Sequence, residues 1–191
     1  MPISPTSAAS TGFRSPTTTE RVAIMADPHI VLIDTNAIIE AVRTGCWAAI
    51  AARFRLETVK ECHDEAQRGD STRPSYVKVG EPELALLAAV HTVSRVERAK
   101  LALECECADG LDDGERGLLA YAWARANEAW LLCSPDKATV RAAVELKCQD
   151  RLISLDELAR RAGVRPRPPV YDHHTESWLT QWRTAALLGI L

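Results

Sequence analysis

The segment over residues 30–54 constrains the fold most, because its apolar pattern changes period at an acidic residue. Ile30-Val31-Leu32-Ile33 is a short β-branched run, as in strands that are buried on both faces of a sheet. Asp34-Thr35-Asn36 ends the run, and apolar residues then recur at helical spacing as far as Phe54. The pattern predicts a buried strand that is followed by one helix over residues 36–54.

Further segments of strand and helix pattern alternate along the chain. The predicted elements are a helix opened by a capping box at Thr58-Val59-Lys60-Glu61, a helix opened at Ser94-Arg95-Val96-Glu97, a helix after Asp112-Asp113, a strand over residues 129–133, a helix capped by Ser134, a short strand over residues 152–155 and a helix that ends at Gly163. This alternation predicts an α/β domain with a mainly parallel sheet and helices on both faces.

The two ends of the chain differ from its middle. Residues 1–26 are rich in Ser, Thr and Pro, and we expect a disordered tail there. Residues 27–163 form the predicted domain, and 191 residues in all suit one core. Residues 164–191 begin as a basic, Pro-rich linker and end in an amphipathic pattern around Trp178 and Trp182. We expect this last helix to pack against the same domain.

Composition excludes several classes of protein. With 47% hydrophobic and 26% charged residues, the chain can bury a core. No apolar run approaches eighteen residues, which excludes a predicted membrane-spanning helix. A net charge of −3 argues against indiscriminate binding of nucleic acid. Six cysteines without a C-x-x-C pair favour a reducing, cytoplasmic location.

Four acids fall where an α/β sheet binds its ligands. Asp34 and Asp136 follow predicted strands, and ligands in such folds lie beyond the carboxyl ends of strands. Glu61 and Glu115 lie near predicted helix starts. A helix-capping role explains each of the four equally well when it is taken alone.

Neighbouring acids compete with two of these positions. Glu65 lies one turn after Glu61 on the same helical face, and Asp112 and Asp113 lie just before Glu115. Glu61 and Glu115 are the preferred members of the site, with Glu65 and Asp113 as the alternatives.

Four short motifs in one order resemble the PIN-domain family. They are the apolar strand with Asp-Thr-Asn at 34–36, Val-Lys-Glu-Cys at 59–62, Gly-Glu-Arg-Gly-Leu-Leu-Ala-Tyr-Ala at 114–122 and Leu-Leu-Cys-Ser-Pro-Asp-Lys at 131–137. The resemblance extends over residues 29–163. Pro135 departs from it, since a polar residue usually occupies that place.

The resemblance implies a three-layer α/β/α nuclease whose clustered acids bind Mg²⁺ or Mn²⁺ and hydrolyse phosphodiester bonds in RNA. Asp34, Glu61, Glu115 and Asp136 match its four acids, and Asn36 and Ser134 match its supporting polar positions. Asp34, Glu115 and Asp136 are the expected metal ligands, since hard divalent cations prefer oxygen. Among PIN nucleases, this size is similar to the toxins of bacterial toxin–antitoxin pairs. The expected partners are therefore RNA and an antitoxin protein, and a homodimer is compatible with this interpretation.

Other functions remain open at the level of sequence. A PIN nuclease of RNA maturation has the same motifs. A haloacid-dehalogenase-like phosphatase also begins with a strand that ends in Asp, but it needs a second acid where Asn36 stands. An inactive PIN-like fold would serve as a protein-binding module.

Two further groups of residues are of types that bind metals, but a structural role explains each of them better than a metal site. Cys105-Glu106-Cys107 lacks a second thiol pair, so we expect two thiols inside a helix. His173-His174 lacks further ligands at a recognisable spacing.

Overall fold

A four-stranded parallel sheet forms the centre of the domain. The computed structural model describes residues 30–68 and 77–190, so the predicted tail over residues 1–26 lies outside the described residues. The strands are β1 (Ile30–Ile33), β2 (Arg55–Val59), β3 (Ala89–His91) and β4 (Trp130–Cys133), in the order β3-β2-β1-β4. Every strand pair is parallel, and Val31 lies opposite both Leu56 and Leu131. The predicted α/β class is confirmed.

Helices cover both faces of this sheet. They are α1 (Thr35–Arg43), α2 (Trp47–Arg53), α3 (Lys60–Arg68), α4 (Glu81–Leu84), α5 (Arg95–Glu104), α6 (Asp113–Ala124), α7 (Lys137–Glu145), α8 (Leu155–Arg161) and α9 (Glu176–Leu187). Short 3₁₀ turns occupy Glu106–Gly110, Gln149–Arg151 and Asp172–His174.

Alternation along β1 divides the core into two layers, because successive side chains of a strand point to opposite faces. Leu32 packs with residues of α5, α6, α7 and α9, including Leu101, Leu118 and Val140. Val31 and Ile33 pack with residues of α1, α2 and α8. The result is the expected three-layer α/β/α arrangement.

The order of the strands changes direction beside β1. The chain passes from β1 to β2 and β3 on one side, and β4 then pairs with the other side of β1. The carboxyl ends of β1 and β4 therefore lie together where the order of strands reverses, which is the usual place of a ligand site in such sheets.

The predicted helix over residues 36–54 is wrong as a single element. The chain leaves α1 at Thr44 and turns through Gly45, whose φ of +69° is left-handed, before α2 begins. Glycine adopts this conformation without the steric cost of a side chain. The turn allows α1 and α2 to pack separately on the same face of the sheet.

Three other predicted boundaries also need correction. Thr58 does not cap a helix; it lies in β2, and its hydroxyl donates to the carbonyl of Ile33 at 2.7 Å. The residue that caps α7 is Asp136 rather than Ser134. The predicted strand over residues 152–155 is reduced to one bridge between Leu152 and Leu132.

The segment after Gly163 packs against the domain, as predicted for its helix. Trp178 and Leu179 of α9 are buried in the same core layer as residues of α7. Before α9, the backbone N–H of Tyr171 donates to the Glu40 carboxylate at 2.7 Å, and Arg43 donates to the carbonyl of Pro169 at 2.8 Å. Within the described ranges, the helices lack the length and apolar character that crossing a bilayer requires.

Candidate metal centre

Asp34 stands at the junction of β1, β4 and α1. Its backbone N–H donates to the carbonyl of Cys133 at 3.0 Å, which ties the ends of the two strands together. Its Oδ1 accepts the N–H of Thr35 at 2.8 Å and so caps α1. The side chain is buried, yet Oδ2 has no hydrogen-bond partner among the residues that the structure describes.

Asp112 and Glu115 bring two more carboxylates from the start of α6. Asp112 Oδ1 accepts the N–H of Glu115 at 2.8 Å, and Glu115 Oε2 accepts the N–H of Asp112 at 3.2 Å. Glu115 is buried, whereas Asp112 is exposed. This reciprocal capping box fixes both side chains where the helix begins.

Gly114 allows the start of α6 to approach α3 closely. A Cβ atom there would lie 3.0 Å from Cys62 Sγ, 3.4 Å from Asp112 Oδ1 and 3.7 Å from Glu65 Oε2. A side chain at this position would therefore enter the space between the carboxylates of α3 and α6.

Asp136 adds a carboxylate from the end of β4. Its Oδ1 accepts the N–H groups of Ala138 and Thr139 at 2.6 and 3.3 Å, so the acid caps α7. Asp34, Asp112 and Asp136 thus each cap a helix. The N-termini of α1, α6 and α7 therefore lie at these three carboxylates.

The structure separates the two competing glutamates of α3. Thr35 Oγ1 donates to Glu65 Oε2 at 2.9 Å, which places the Glu65 carboxylate next to Asp34. Glu61 instead pairs with Arg98 of α5 at 2.5 Å. Asp113 likewise lies apart, in a groove with Glu61, Arg98 and Arg116. We call Asp34, Glu65, Asp112, Glu115 and Asp136 the acid cluster.

Burial and mutual repulsion raise the pKa of the two buried members of the acid cluster. Burial, chiefly, and the nearby Asp112, Glu65 and Asp136 carboxylates raise the pKa of Asp34 to about 7. Burial is also the main cause that raises the pKa of Glu115 to about 8, with contributions from Asp136, Asp112 and Asp34. Such mutual repulsion is expected of carboxylates that lie close together.

The two supporting polar residues lie in different surroundings. Asn36 is exposed in the first turn of α1. Ser134 is buried, and its Oγ finds no partner within the described part of the chain. Ser134 and His174 line a cavity of about 10 Å³, which is close to the space of one water molecule.

No family model and no curated protein matches this chain.

Asp112 is the member of the acid cluster that sequence reasoning did not select. Its signal was present, since an Asp three residues before Glu115 is a capping pattern. That pattern predicts a helix cap and not a metal ligand, so it does not by itself select Asp112 over Asp113 as a site residue. The choice follows from the cap itself, which directs Asp112 toward Glu115 and leaves Asp113 on the side of Arg116.

The acid cluster suits a hard divalent cation. Its donors are all oxygens, and Asp34 Oδ2 is buried without a partner from the described chain. A cation would neutralise the repulsion that raises the pKa of Asp34 and Glu115. Mg²⁺ commonly takes only one or two carboxylates directly, so the exposed acids at the rim of the cluster would act through bound water.

Proposed function

We propose that this protein is a metal-dependent endoribonuclease that uses Mg²⁺ or Mn²⁺. The observation that supports the proposal is the buried Asp34, which has a free carboxylate oxygen and four further acids around it. Repulsion among these carboxylates lowers the free energy of unfolding unless a bound cation neutralises it. Carboxylates with pKa values perturbed in this way are found chiefly at functional sites.

Asp34, Glu115 and Asp136 are the residues that would hold the metal. A bound divalent ion lowers the pKa of water, aligns it and neutralises charge that develops on the phosphate. The helix caps keep the three carboxylates in place, because each accepts backbone N–H groups with one oxygen and leaves the other available. Glu65, held by Thr35 at the rim, is placed to orient a water molecule.

RNA is the proposed substrate, and the resemblance to PIN domains supports this choice. Within that class, the toxin of a toxin–antitoxin pair is the function that best fits a single nuclease domain of this size. An antitoxin protein would then be the natural partner. A gene for a small antitoxin-like protein beside this one would favour the toxin over an enzyme of RNA maturation.

Asp34→Asn tests the nuclease directly. The unaltered protein should cleave RNA with Mg²⁺ or Mn²⁺ and stop when EDTA is added. Asparagine caps a helix about as well as aspartate but lacks the charge that the cation needs. We expect a fall in the cleavage rate of at least about a hundredfold, measured on fluorescently labelled RNA.

Asp64→Asn is the matched control for this experiment. Asp64 is a surface acid of α3 that pairs with Lys60 and Arg68. Its replacement should leave the cleavage rate unchanged. Cleavage that persists in EDTA, or in folded Asp34→Asn protein, would contradict the proposed mechanism.

A further inference from the structure

A second group of metal-binding side chains lies outside the acid cluster. It consists of Cys105, which follows α5, Cys107 in the 3₁₀ turn at Glu106–Gly110, and Glu145 at the end of α7. The Sγ atoms of Cys105 and Cys107 are 3.4 Å apart. One ligand atom of each of the three residues lies within 4.8 Å of the other two. The expectation of two thiols inside a helix is therefore wrong.

Glu145 holds the backbone that carries both thiols. Its Oε1 accepts the N–H of Glu106 at 2.5 Å, and its Oε2 accepts the N–H of Cys107 at 3.3 Å. The N–H of Ala108 donates to the carbonyl of Cys105 at 3.2 Å and closes the turn. The two thiols and the carboxylate are thus brought together by the fold before any ligand binds.

The carboxylate retains the capacity to bind a cation. A carboxylate oxygen has two lone pairs, and each oxygen of Glu145 uses one for a backbone N–H. Glu145 is exposed, Cys107 is half-buried and Cys105 is buried. A cation can therefore enter from solvent and reach all three groups.

Two sulfur ligands select against the cation of the acid cluster. Thiolates favour Zn²⁺ and other soft or borderline ions, whereas Mg²⁺ and Mn²⁺ favour oxygen. Zinc binds thiolate sulfur at about 2.3 Å in a tetrahedron, which places two bound sulfurs about 3.8 Å apart. The observed separation of 3.4 Å requires only a small adjustment of the side chains.

We propose that Cys105, Cys107 and Glu145 bind one Zn²⁺ ion, with the fourth position open to water. The ion would link the 3₁₀ turn to α7. This turn leads through Leu111 into Asp112, where the acid cluster begins. The role we assign to this ion follows from its position in the chain: by linking the turn to α7, it would stabilise the segment that positions Asp112 and Glu115.

Co²⁺ is the probe that distinguishes this site from the acid cluster. Only sulfur ligands give the intense thiolate-to-cobalt absorption in the near ultraviolet, so oxygen ligands remain silent. The full chain, reduced and stripped of metal, should develop this absorption with one equivalent of Co²⁺, and Zn²⁺ should abolish it by displacement. A chain that binds Co²⁺ without the absorption would overturn the proposal.

Variants assign the absorption to its ligands. The double variant Cys105→Ser/Cys107→Ser should lose it. Cys46→Ser is the matched control, because Cys46 Sγ already contacts Thr44 Oγ1 and the carbonyl of Ala41 and a hydroxyl suits that place. Cys62→Ser tests the thiol that lies 3.8 Å from Asp34 Oδ1. Retention of the absorption in the double variant, or its loss in Cys62→Ser alone, would reject the assignment.

Glu145→Gln provides a test that keeps both thiols. We expect zinc affinity to fall about 10–100-fold in competition with a chelator of known affinity, because the variant loses a charged ligand that also positions the turn. Should the double variant fail to fold, Cys107→Ser alone is the replacement, since Cys107 is half-buried. Unchanged affinity in folded Cys107→Ser and Glu145→Gln proteins would contradict the proposed site.

Discussion

Asp34 combines a structural and a chemical role in one carboxylate. One oxygen caps α1, and the other is buried without a partner from the described residues. Burial and the neighbouring acids raise the pKa of this carboxyl to about 7. The charged form of Asp34 is therefore unfavourable in the absence of metal. Ionisation of this carboxyl lowers the free energy of unfolding at neutral pH.

The pH dependence of the free energy of unfolding tests the destabilising effect of the Asp34 carboxylate. Because the pKa of Asp34 is higher in the folded chain than in the unfolded chain, stability is greatest below the unfolded pKa and falls as the pH rises through about 7. In metal-free protein, Asp34→Asn should therefore raise the free energy of unfolding more at pH 8 than at pH 5. The difference should be roughly 1–3 kcal/mol in urea titrations, since one pKa unit is about 1.4 kcal/mol.

Asp64→Asn again serves as the control for the pH dependence. The hydrogen bond from Lys60 lowers the pKa of Asp64, so this acid is favoured in its charged form. Its replacement should give no gain in stability at pH 8. An equal gain from both variants would show that the effect is one of net charge.

The second residue-level prediction separates Glu65 from Glu61. Glu65→Gln should reduce RNA cleavage about 10–100-fold, because it removes a charge beside Asp34 while an oxygen remains for Thr35. Glu61→Gln keeps an acceptor for Arg98 and should leave cleavage nearly unchanged. The opposite ranking of the two rates would favour the choice of Glu61 that the sequence suggested.

Site residues could be predicted from the sequence where their position is marked locally, and not where distant contacts distinguish them. Asp34 and Asp136 could be selected because each comes just after a strand, and that position is visible locally. Glu61 and Glu65 are one turn apart, and what distinguishes them is contact with Thr35 and with Arg98. Those partners lie 30 and 37 residues away, so no local pattern could reveal them.

Strands and helices could be predicted from the sequence where the apolar residues follow a single strand or helix periodicity. The strand β1 and the capped helix α5 have clear signals, and both are confirmed. Strand β2 was not predicted, because two of its buried residues, Glu57 and Thr58, are polar and interrupt the apolar pattern. Glu57 is accommodated by Arg55 and His91, which donate to its two oxygens at 2.5 and 2.7 Å if His91 carries its proton on Nε2.

Gly45→Ala tests the turn that divides α1 from α2. No atom lies within 4 Å of a Cβ placed there, so the cost comes from the left-handed backbone alone. We expect a loss of roughly 1–2 kcal/mol in the free energy of unfolding, with an unchanged urea m-value. Gly110→Ala is the matched control, since it has equal space and no left-handed φ. Equal losses in the two variants would contradict this explanation.

At the scale of the whole molecule, the segment after Gly163 connects both core layers. Its backbone bonds to Glu40 and Arg43 on one face of the sheet, and α9 packs on α7 at the other face. Lys137 of α7 lies 3.6 Å from the centre of the Trp182 ring, which adds a cation–π contact. Between these regions, His174 is buried beside Ser134, next to the end of β4.

We expect the packing of this segment against the domain to be sensitive to acid because of His174. Burial, chiefly, and the neighbouring His173 lower the pKa of His174 to about 4. The unfolded chain therefore takes up a proton near pH 6.5, whereas the folded chain does not until the pH is much lower. The stability that neutral His174 contributes is fully present above pH 6.5 and is lost as the pH falls toward about 4.

His174→Gln should flatten this dependence, because glutamine has no charge to gain. Between pH 6.5 and pH 4.5, the unaltered protein should lose more of its free energy of unfolding than the variant, by roughly 1–2 kcal/mol in urea titrations. His63→Gln changes a histidine of α3, outside this segment, and is the matched control. A loss of packing in His174→Gln lowers the free energy of unfolding equally at every pH. The slope of the free energy of unfolding against pH therefore measures the protonation of His174 alone. A variant whose slope equals that of the unaltered protein would show that His174 becomes charged without disturbing the packing of the last helix.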